Sequence, residues 1–294
     1  MALPKGKEKV TDTVRKNRAS EPLRLDARGI IEALPEHMHR RENFALIYKD
    51  ETGSTNADAA QLLHYGALPD GSALPPFFAV AAGRQTGGRG TQGRHFYSPS
   101  GSGLYMSIGW RSGLRTDELP PATAAAAVAV RFAVGYVLGL RADIKWVNDV
   151  LVDDKKVCGI LAECSEHSGC ADVVIGIGIN LTPPDGGFPP ELSGAGALCR
   201  RMESEVAEEL AASVIAELCA LLESGDSADI MSRYRDGCRS IGRQLRLNRD
   251  DGAVEYTVVG IGDGGELTVE SPDGERLTVI SAAEVCRPAE KGNY

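Results

Sequence analysis

The chain has 294 residues, a length that predicts two domains and excludes a peptide hormone or a small module. It carries 32 Lys and Arg against 41 Asp and Glu, and the resulting net charge of −9 disfavours bulk attraction to nucleic acid. Seven scattered cysteines without a CxxC pair indicate free thiols of a reducing cytoplasm rather than disulfides or a zinc site. No apolar run is long enough for a secretory signal or a membrane span.

The first 40 residues are predicted to form a basic tail and one short helix. Residues 1–20 carry six Lys or Arg and two acids, with almost no large apolar side chains to offset the entropy of ordering. An amphipathic helix is expected at about 26–34, between Asp26 and Pro35. Because a helix-turn-helix domain needs roughly three helices around a core, we expect no DNA-binding domain in this segment.

Residues 41–237 alternate between strands and helices, which indicates a layered α/β or α+β fold. Apolar patterning predicts strands at 44–48, 77–82, 103–110 and 172–181, and helices at 56–65, 121–140 and 203–223. Two apolar runs, 144–152 and 156–164, flank Asp153 and Asp154 and predict a hairpin.

Residues 238–288 have a different pattern, in which short apolar runs are separated by strong turn residues. Strands are predicted at 244–247, 255–261, 266–270 and 276–281. This spacing predicts a small antiparallel β-barrel of about 50 residues that follows the larger domain.

The loop at residues 83–94 has five glycines and no acidic residue. Glycines let the backbone approach a ligand closely, and Arg84, Arg89 and Arg94 add three positive charges, which indicates an anion site in an acidic protein. The alternative is a solvated surface loop. A Walker-type nucleotide site is excluded, because the loop has neither a Lys-Ser/Thr pair nor a following helix.

A lysine between apolar neighbours characterises the segment 144–150. On a strand, Ile144 and Trp146 share one face, and Lys145 points alone into the other layer, where it meets an anion or snorkels at the edge of the sheet. Asn148 and Asp149 form a turn pair, or they serve a phosphate and a divalent metal.

Two further segments are weak signals when each is taken alone. Residues 51–56 lie between a strand and a helix, where Ser54, Thr55 or Asn56 would make an ordinary helix N-cap. Residues 176–180 form a strand with alternate glycines, which suggests close approach of backbone or ligand.

In this order and spacing, the segments together resemble the biotin protein ligase family. The matching stretches are residues 53–56, 85–94, 98–99, 104–105, 145–149, 156–163 and 176–180. The resemblance implies an α+β protein: a mixed-sheet catalytic domain of the class II synthetase-like, biotin/lipoate ligase type at 41–237, and an SH3-like β-barrel at 238–288. The sequence departs from the family at Thr91, where Arg is usual, at Phe96, where Trp is usual, and at Val147, where Pro is frequent.

What the resemblance implies is a two-step reaction with ATP and biotin as substrates and Mg²⁺ carried in with ATP. Biotin is activated to biotinyl-5′-AMP and is then transferred to a lysine of the biotin carboxyl-carrier domain of a carboxylase. Lys145 and Arg89 are the expected catalytic residues, and Asp149 is the candidate metal ligand. The expected substrate-binding residues are Ser54, Thr55, Asn56, Gln85, Arg89, Gly90, Thr91, Lys145 and Gly159, and the expected ATP-binding residues are Arg89, Arg94, Trp146 and Asn148.

Each part of this set has an expected role. Lys145 bridges the biotin carbonyl oxygen and the α-phosphate, and Arg89 with the loop N–H groups covers the adenylate and excludes water. Ser54, Thr55 and Gln85 hydrogen-bond the uncharged ureido ring, which needs donors and acceptors rather than charge.

Apolar walls are expected from Trp146 and Phe96. The glycine-rich loop is expected to be mobile without ligand, and Thr91 to retain the adenylate less tightly than an Arg.

Three alternatives stand beside this interpretation: a lipoate-type acyl ligase, a biotin-sensing transcriptional regulator, and a noncatalytic biotin-binding module. A lipoate site should have an apolar slot in place of the polar set at Ser54, Thr55 and Gln85. A regulator needs a DNA-binding domain, and a mere binding module gives no reason for Lys145 beside an Arg-rich loop. We expect no specific DNA binding, no membrane association and a cytoplasmic location, and the sequence leaves room for a homodimer.

Overall fold

A seven-stranded mixed sheet forms the centre of the computed structural model, which describes residues 23–40, 42–249 and 252–280. Its strand order is β1-β2-β3-β7-β6-β5-β4; β1 and β2 pair in parallel and every other neighbouring pair is antiparallel. The strands are β1 (Phe44–Lys49), β2 (Phe77–Ala82), β3 (Gly103–Arg111), β4 (Asp143–Lys145), β5 (Asp149–Val152), β6 (Lys155–His167) and β7 (Cys170–Asn180).

Helices cover both faces of this sheet. They are α1 (Ala27–Ala33), α2 (Thr55–Tyr65), α3 (Ala122–Leu138), α4 (Ser204–Ser224) and α5 (Ser227–Gly237). On one face α3 packs against α4 and α5, and the alternate residues Ala79 and Ala81 of β2 join this larger core. On the other face α2 packs over Phe78 and Val80 in a smaller core.

The C-terminal part is a four-stranded antiparallel sheet in which strands adjacent in sequence are neighbours. Its strands are β8 (Gln244–Arg249), β9 (Gly252–Ile261), β10 (Leu267–Glu270) and β11 (Arg276–Val279). The Trp146 indole donates from Nε1 to the carbonyl of Gly265 at 2.7 Å, and Arg235 Nε of α5 donates to the carbonyl of Ile261 at 2.8 Å. These bonds join the small sheet to the larger one.

Two elements differ from the sequence-based expectation. The run 144–152 was predicted as one strand, but it forms β4 and β5, which pair antiparallel across a tight turn so that Lys145 lies opposite Asp149. The turn consists of Trp146, Val147 and Asn148, of which the first two are apolar and hide it in the apolar run, while Asn148 belongs to the turn pair that the sequence offered as an alternative. Helix α5 was not predicted, because its sequence is polar and only one stripe that includes Tyr234 is buried.

The remaining elements agree with the predicted pattern to within a few residues at each end. The 20-residue tail, the turn at Asp250 and Asp251, and Cys286 lie outside the described residues. Within the described parts of the chain the six cysteines are unpaired, and no helix has the length and apolarity needed to cross a bilayer. The division into domains at 41–237 and 238–288 stays a prediction.

Candidate functional site

A cavity of about 300 Å³ opens between the N-terminus of α2, the glycine-rich loop and strands β4, β5 and β6. The structure brings together there all but one of the residues predicted from sequence as site residues. Those lining the cavity are Ser54, Thr55, Asn56, Gln85, Arg89, Gly90, Thr91, Arg94, Lys145, Asn148, Asp149 and Gly159.

At one end of the cavity, Ser54, Thr55 and Gln85 supply polar groups that carry no charge. Ser54 occupies the N-cap position of α2, but its hydroxyl makes no capping hydrogen bond. The Gln85 amide takes that role: its Oε1 accepts from the backbone N–H of Thr55 at 2.9 Å, while its Nε2 donates to Ser98 Oγ at 3.0 Å. The Ser54 hydroxyl therefore does not cap α2, although the sequence favoured an ordinary helix N-cap in this segment.

The alternate glycines of β7 make room for side chains of the site. A Cβ atom at Gly176 would lie 2.1 Å from Asn56 Oδ1, and one at Gly178 would lie 2.4 Å from Phe96 Cε1. Asn56 is held in this space by a hydrogen bond from its Nδ2 to Glu163 Oε2 at 2.7 Å. The close approach expected from these glycines is thus to protein side chains of the cavity floor.

The glycine-rich loop is folded back on itself as a narrow hairpin. The Phe96 N–H donates to the Gly88 carbonyl at 3.0 Å, and the Gly90 N–H donates to the Arg94 carbonyl at 2.7 Å. Arg94 Nη2 in turn donates to Thr91 Oγ1 at 2.8 Å, so these two cavity residues are each other's partners. The expected mobility of the loop stays a prediction.

The three arginines of the loop have different partners. Arg89 forms an ion pair with Glu163 at 2.9 Å and lines the cavity. Arg84 pairs with Glu51 at 2.8 Å and is not a lining residue. Two of the three positive charges, those of Arg89 and Arg94, therefore lie at the cavity.

The opposite end of the cavity is cationic. Lys145 of β4 lies opposite Asp149 of β5, and Lys156 of β6 places its Nζ 2.5 Å from Asp149 Oδ1. Burial lowers the pKa of Lys145, and the nearby Asp149 carboxylate opposes part of that change. The two lysines and the one carboxylate give this wall a net positive charge, which suits an anionic ligand.

Trp146 lies apart from the other predicted site residues. Its indole is directed at Gly265 in the C-terminal sheet, its backbone N–H donates to Ser240 Oγ at 3.0 Å, and its side chain does not line the cavity. Trp146 thus lies outside this cavity, and its expected role as an apolar wall for ATP stays a prediction. Trp146 lies in the turn between β4 and β5, so its indole does not point where a single continuous strand over 144–152 would direct it.

The described residues do not offer a resident metal site. They contain no group of three or more His, Cys, Asp or Glu side chains that could hold an ion. The one candidate, Asp149, is already engaged by Lys156 at 2.5 Å. This donor set fits a Mg²⁺ ion that keeps its waters and is held mainly by nucleotide phosphates, with at most one carboxylate from the protein.

Sequence reasoning missed four contributors to the site. Lys156 adds a second lysine, Glu163 pairs with Arg89, Ser107 is buried beneath α2, and residues 188–195 form part of the wall. Lys156 and Glu163 both lie within the stretch 156–163 that carried the family resemblance, and that stretch was the signal for them. Ser107 and the wall segment have no comparable signal in the sequence.

The chain is similar in sequence to known ligases. Residues 72–180 match the model of the biotin/lipoate A/B protein ligase family. The bifunctional ligase/repressor BirA of Bacillus spizizenii is 32% identical over 245 residues, which cover 78% of this chain and 70% of that relative. The biotin–[acetyl-CoA-carboxylase] ligase of Paracoccus denitrificans is 32% identical over 245 residues, which cover 80% of this chain and 97% of that relative.

A solved structure shares the architecture. The biotin protein ligase from Aquifex aeolicus in complex with biotin and ATP superposes with a TM-score of 0.62 at 23% identity, and the match covers 82% of this chain and 97% of that one. This likeness establishes the fold. It confirms the expected α+β class, with a mixed-sheet domain of the biotin/lipoate ligase type followed by a small β domain.

Proposed function

Because the chain belongs to the biotin protein ligase family, we propose that the cavity between α2 and strands β4 to β6 is its active site. The protein is an ATP-dependent ligase that attaches biotin to protein. Its two half-reactions share one site in this proposal: formation of biotinyl-5′-AMP, then transfer of the biotinyl group to a carrier lysine.

The observation that carries this proposal is the polarity of the cavity from end to end. Biotin has an uncharged ureido ring at one end and a carboxylate at the other. The cavity offers hydroxyl and amide groups of Ser54, Thr55 and Gln85 at one end and the ammonium groups of Lys145 and Lys156 at the other. A ureido ring needs both donors and acceptors, and a carboxylate that meets a polyphosphate needs cations.

The first half-reaction brings two anions together. A biotin carboxylate oxygen bonds to the α-phosphorus of ATP while the bond from that phosphorus to the bridging oxygen breaks, and pyrophosphate leaves. Lys145 is proposed to contact the biotin carbonyl oxygen and the α-phosphate, and Lys156 supplies a second positive charge on the same wall. Asn148 lies beside them, where its amide donates to the Ile160 carbonyl at 2.7 Å.

The second half-reaction needs protection of the adenylate. The carrier lysine, as a neutral amine, attacks the biotinyl carbonyl carbon, the bond to AMP breaks, and the amine proton is lost to solvent. Arg89, Gly90, Thr91 and Arg94 of the loop border the cavity and are proposed to cover the adenylate against water until the carrier arrives. Asp149 is proposed to contact the Mg²⁺ ion that would accompany ATP, and that ion would neutralise part of the phosphate charge.

The partner in the second step is proposed to be the biotin carboxyl-carrier domain of a biotin-dependent carboxylase, as the name of the Paracoccus relative implies for that protein. The net charge of −9 disfavours bulk attraction to nucleic acid, and we propose no sequence-specific DNA binding, although the Bacillus relative is named a repressor as well as a ligase. The six cysteines in the described part of the chain are unpaired, which favours a reducing compartment and supports a cytoplasmic location.

One experiment tests the proposal against its alternatives. The protein is incubated with ATP, Mg²⁺, biotin and a carrier domain, and mass spectrometry is expected to find one biotinylated lysine. A carrier in which that lysine is replaced by arginine should stay unmodified. Modification with lipoate but not with biotin would favour the lipoate-type ligase, and biotin binding without adenylate formation would favour the binding module.

DNA binding is tested separately. A gel shift with a defined operator sequence at about 200 mM salt should show no complex, because nonspecific phosphate contacts are largely lost there. A complex that survives this salt would favour a transcriptional regulator.

A further inference from the structure

A line of polar side chains runs from α2 beneath the cavity to Arg89 of the loop. Thr55 and Asn56 are buried at the N-terminus of α2, and Ser107 of β3 is fully buried against them. Ser107 Oγ lies 2.7 Å from Thr55 Oγ1 and 2.6 Å from Asn56 Oδ1. Asn56 Nδ2 donates to Glu163 Oε2 at 2.7 Å, and Arg89 Nη2 donates to the same oxygen at 2.9 Å.

The Glu163 carboxylate fixes the orientation of the Asn56 amide. An ionised carboxylate can only accept, so the NH₂ group of Asn56 faces Glu163 and its Oδ1 faces the Ser107 hydroxyl. Thr55 Oγ1, which lies beside Ser107, donates to Gln85 Oε1 at 3.1 Å and extends the line toward the loop. Glu163 is therefore held from the buried side by Asn56 and from the cavity side by Arg89.

We propose that Glu163 is a positioning residue that holds Arg89 over the cavity and connects the arginine loop to the polar end of the site. The contact with Glu163 uses one N–H of the five in the guanidinium group, so the same group can face an anion in the cavity. The inference rests on the proposed function, because that anion is the phosphate of the acyl-adenylate.

The ion pair between Arg89 and Glu163 is exposed, so its loss should affect ligand binding more than the stability of the fold. The side chains of Arg89 and Glu163 are 46% and 39% exposed. A pair this exposed contributes little to stability, because water screens both charges and each side chain loses entropy on pairing. Loss of the Glu163 charge should therefore change the position of Arg89 while the fold is retained.

The test compares Glu163→Gln with Glu166→Gln, which removes an exposed carboxylate from the same strand β6. The readouts are the dissociation rate of biotinyl-AMP, the affinity for biotin alone and the thermal unfolding midpoint. Glu163→Gln should release the adenylate on the order of tenfold faster, with biotin affinity and midpoint near those of the wild type. Glu166→Gln should match the wild type in all three.

A double-mutant cycle with Arg89→Ala shows whether Glu163 acts through Arg89. In the Arg89→Ala background, Glu163→Gln should have no further effect on adenylate release. If Glu163→Gln does not fold, Glu163→Asp keeps the charge, shortens its reach and should still release the adenylate faster than the wild type.

Two results would overturn the inference. Unchanged release in Glu163→Gln would show that Arg89 does not depend on Glu163, and slower release would show that Glu163 competes with the adenylate for Arg89. In either case the wild type still forms biotinyl-AMP. Failure of the proposed function is distinguishable, because the wild type itself would then form no adenylate from biotin and ATP.

Discussion

Removal of the Lys145 ammonium group tests the cationic wall most directly. Lys145→Met keeps the length and apolar stem of the side chain and deletes only the charge. In the folded protein this ammonium is half-buried and burial lowers its pKa, so an arriving carboxylate and phosphate meet a partly desolvated cation. An interaction of this kind strengthens as charge develops in the transition state.

The size of the effect follows from the geometry of the wall. A preorganised donor at a developing oxyanion contributes about 2.7–4 kcal/mol, or roughly a hundredfold to a thousandfold in rate. Lys156 faces the same cavity, but Asp149 lies 2.5 Å from its Nζ and offsets part of its charge. Lys156 should therefore not replace Lys145, and we expect the full loss in Lys145→Met.

Pyrophosphate release in single turnover, with biotin and ATP saturating, measures this step without the carrier protein. Lys49→Met is the matched control, since Lys49 pairs with Asp58 at 3.0 Å and does not line the cavity. Near-normal pyrophosphate release from Lys145→Met would refute the assignment. A large loss in Lys156→Met alone would transfer the bridging role to that residue.

Three further outcomes are expected. Burial lowers the pKa of Lys145 below the ordinary lysine value of 10.5, and the charged form is the active one, so adenylation should decline as pH rises through this lowered pKa. In a pH–rate profile, Lys145→Arg should move this decline to higher pH. Thr91→Arg adds a guanidinium at the cavity and removes an acceptor of Arg94. Because one charge-assisted hydrogen bond contributes about 1.5–3 kcal/mol, biotinyl-AMP should dissociate at least about tenfold more slowly, and an unchanged or faster rate would contradict this. Gly178→Ala should displace Phe96, lower the free energy of unfolding by about 1–3 kcal/mol in denaturation experiments, and weaken biotin binding in calorimetry. Equal biotin affinity would show that Phe96 does not contact biotin.

Local pattern was enough to predict most of the elements. Strand β2 was predicted at 77–82 and is Phe77–Ala82, because six consecutive apolar residues bounded by Pro76 and Gly83 fit a buried strand. Helix α3 was predicted to end near Gly139, which adopts the left-handed conformation with φ of 65°. Such signals depend on neighbours within a few residues and need no tertiary information.

The order and spacing of the family stretches were also enough to predict most of the segments that line the cavity, but not the wall segment 188–195. How those segments face one another depends on contacts between residues that are far apart in the chain. Arg89 and Glu163 are 74 positions apart and meet because β6 lies beside β7 under the loop, and Lys156 joins Asp149 through the pairing of β5 with β6. Trp146 turns to the C-terminal sheet because the chain reverses between β4 and β5. Contacts of this kind depend on strand order and side-chain direction, which periodicity does not encode.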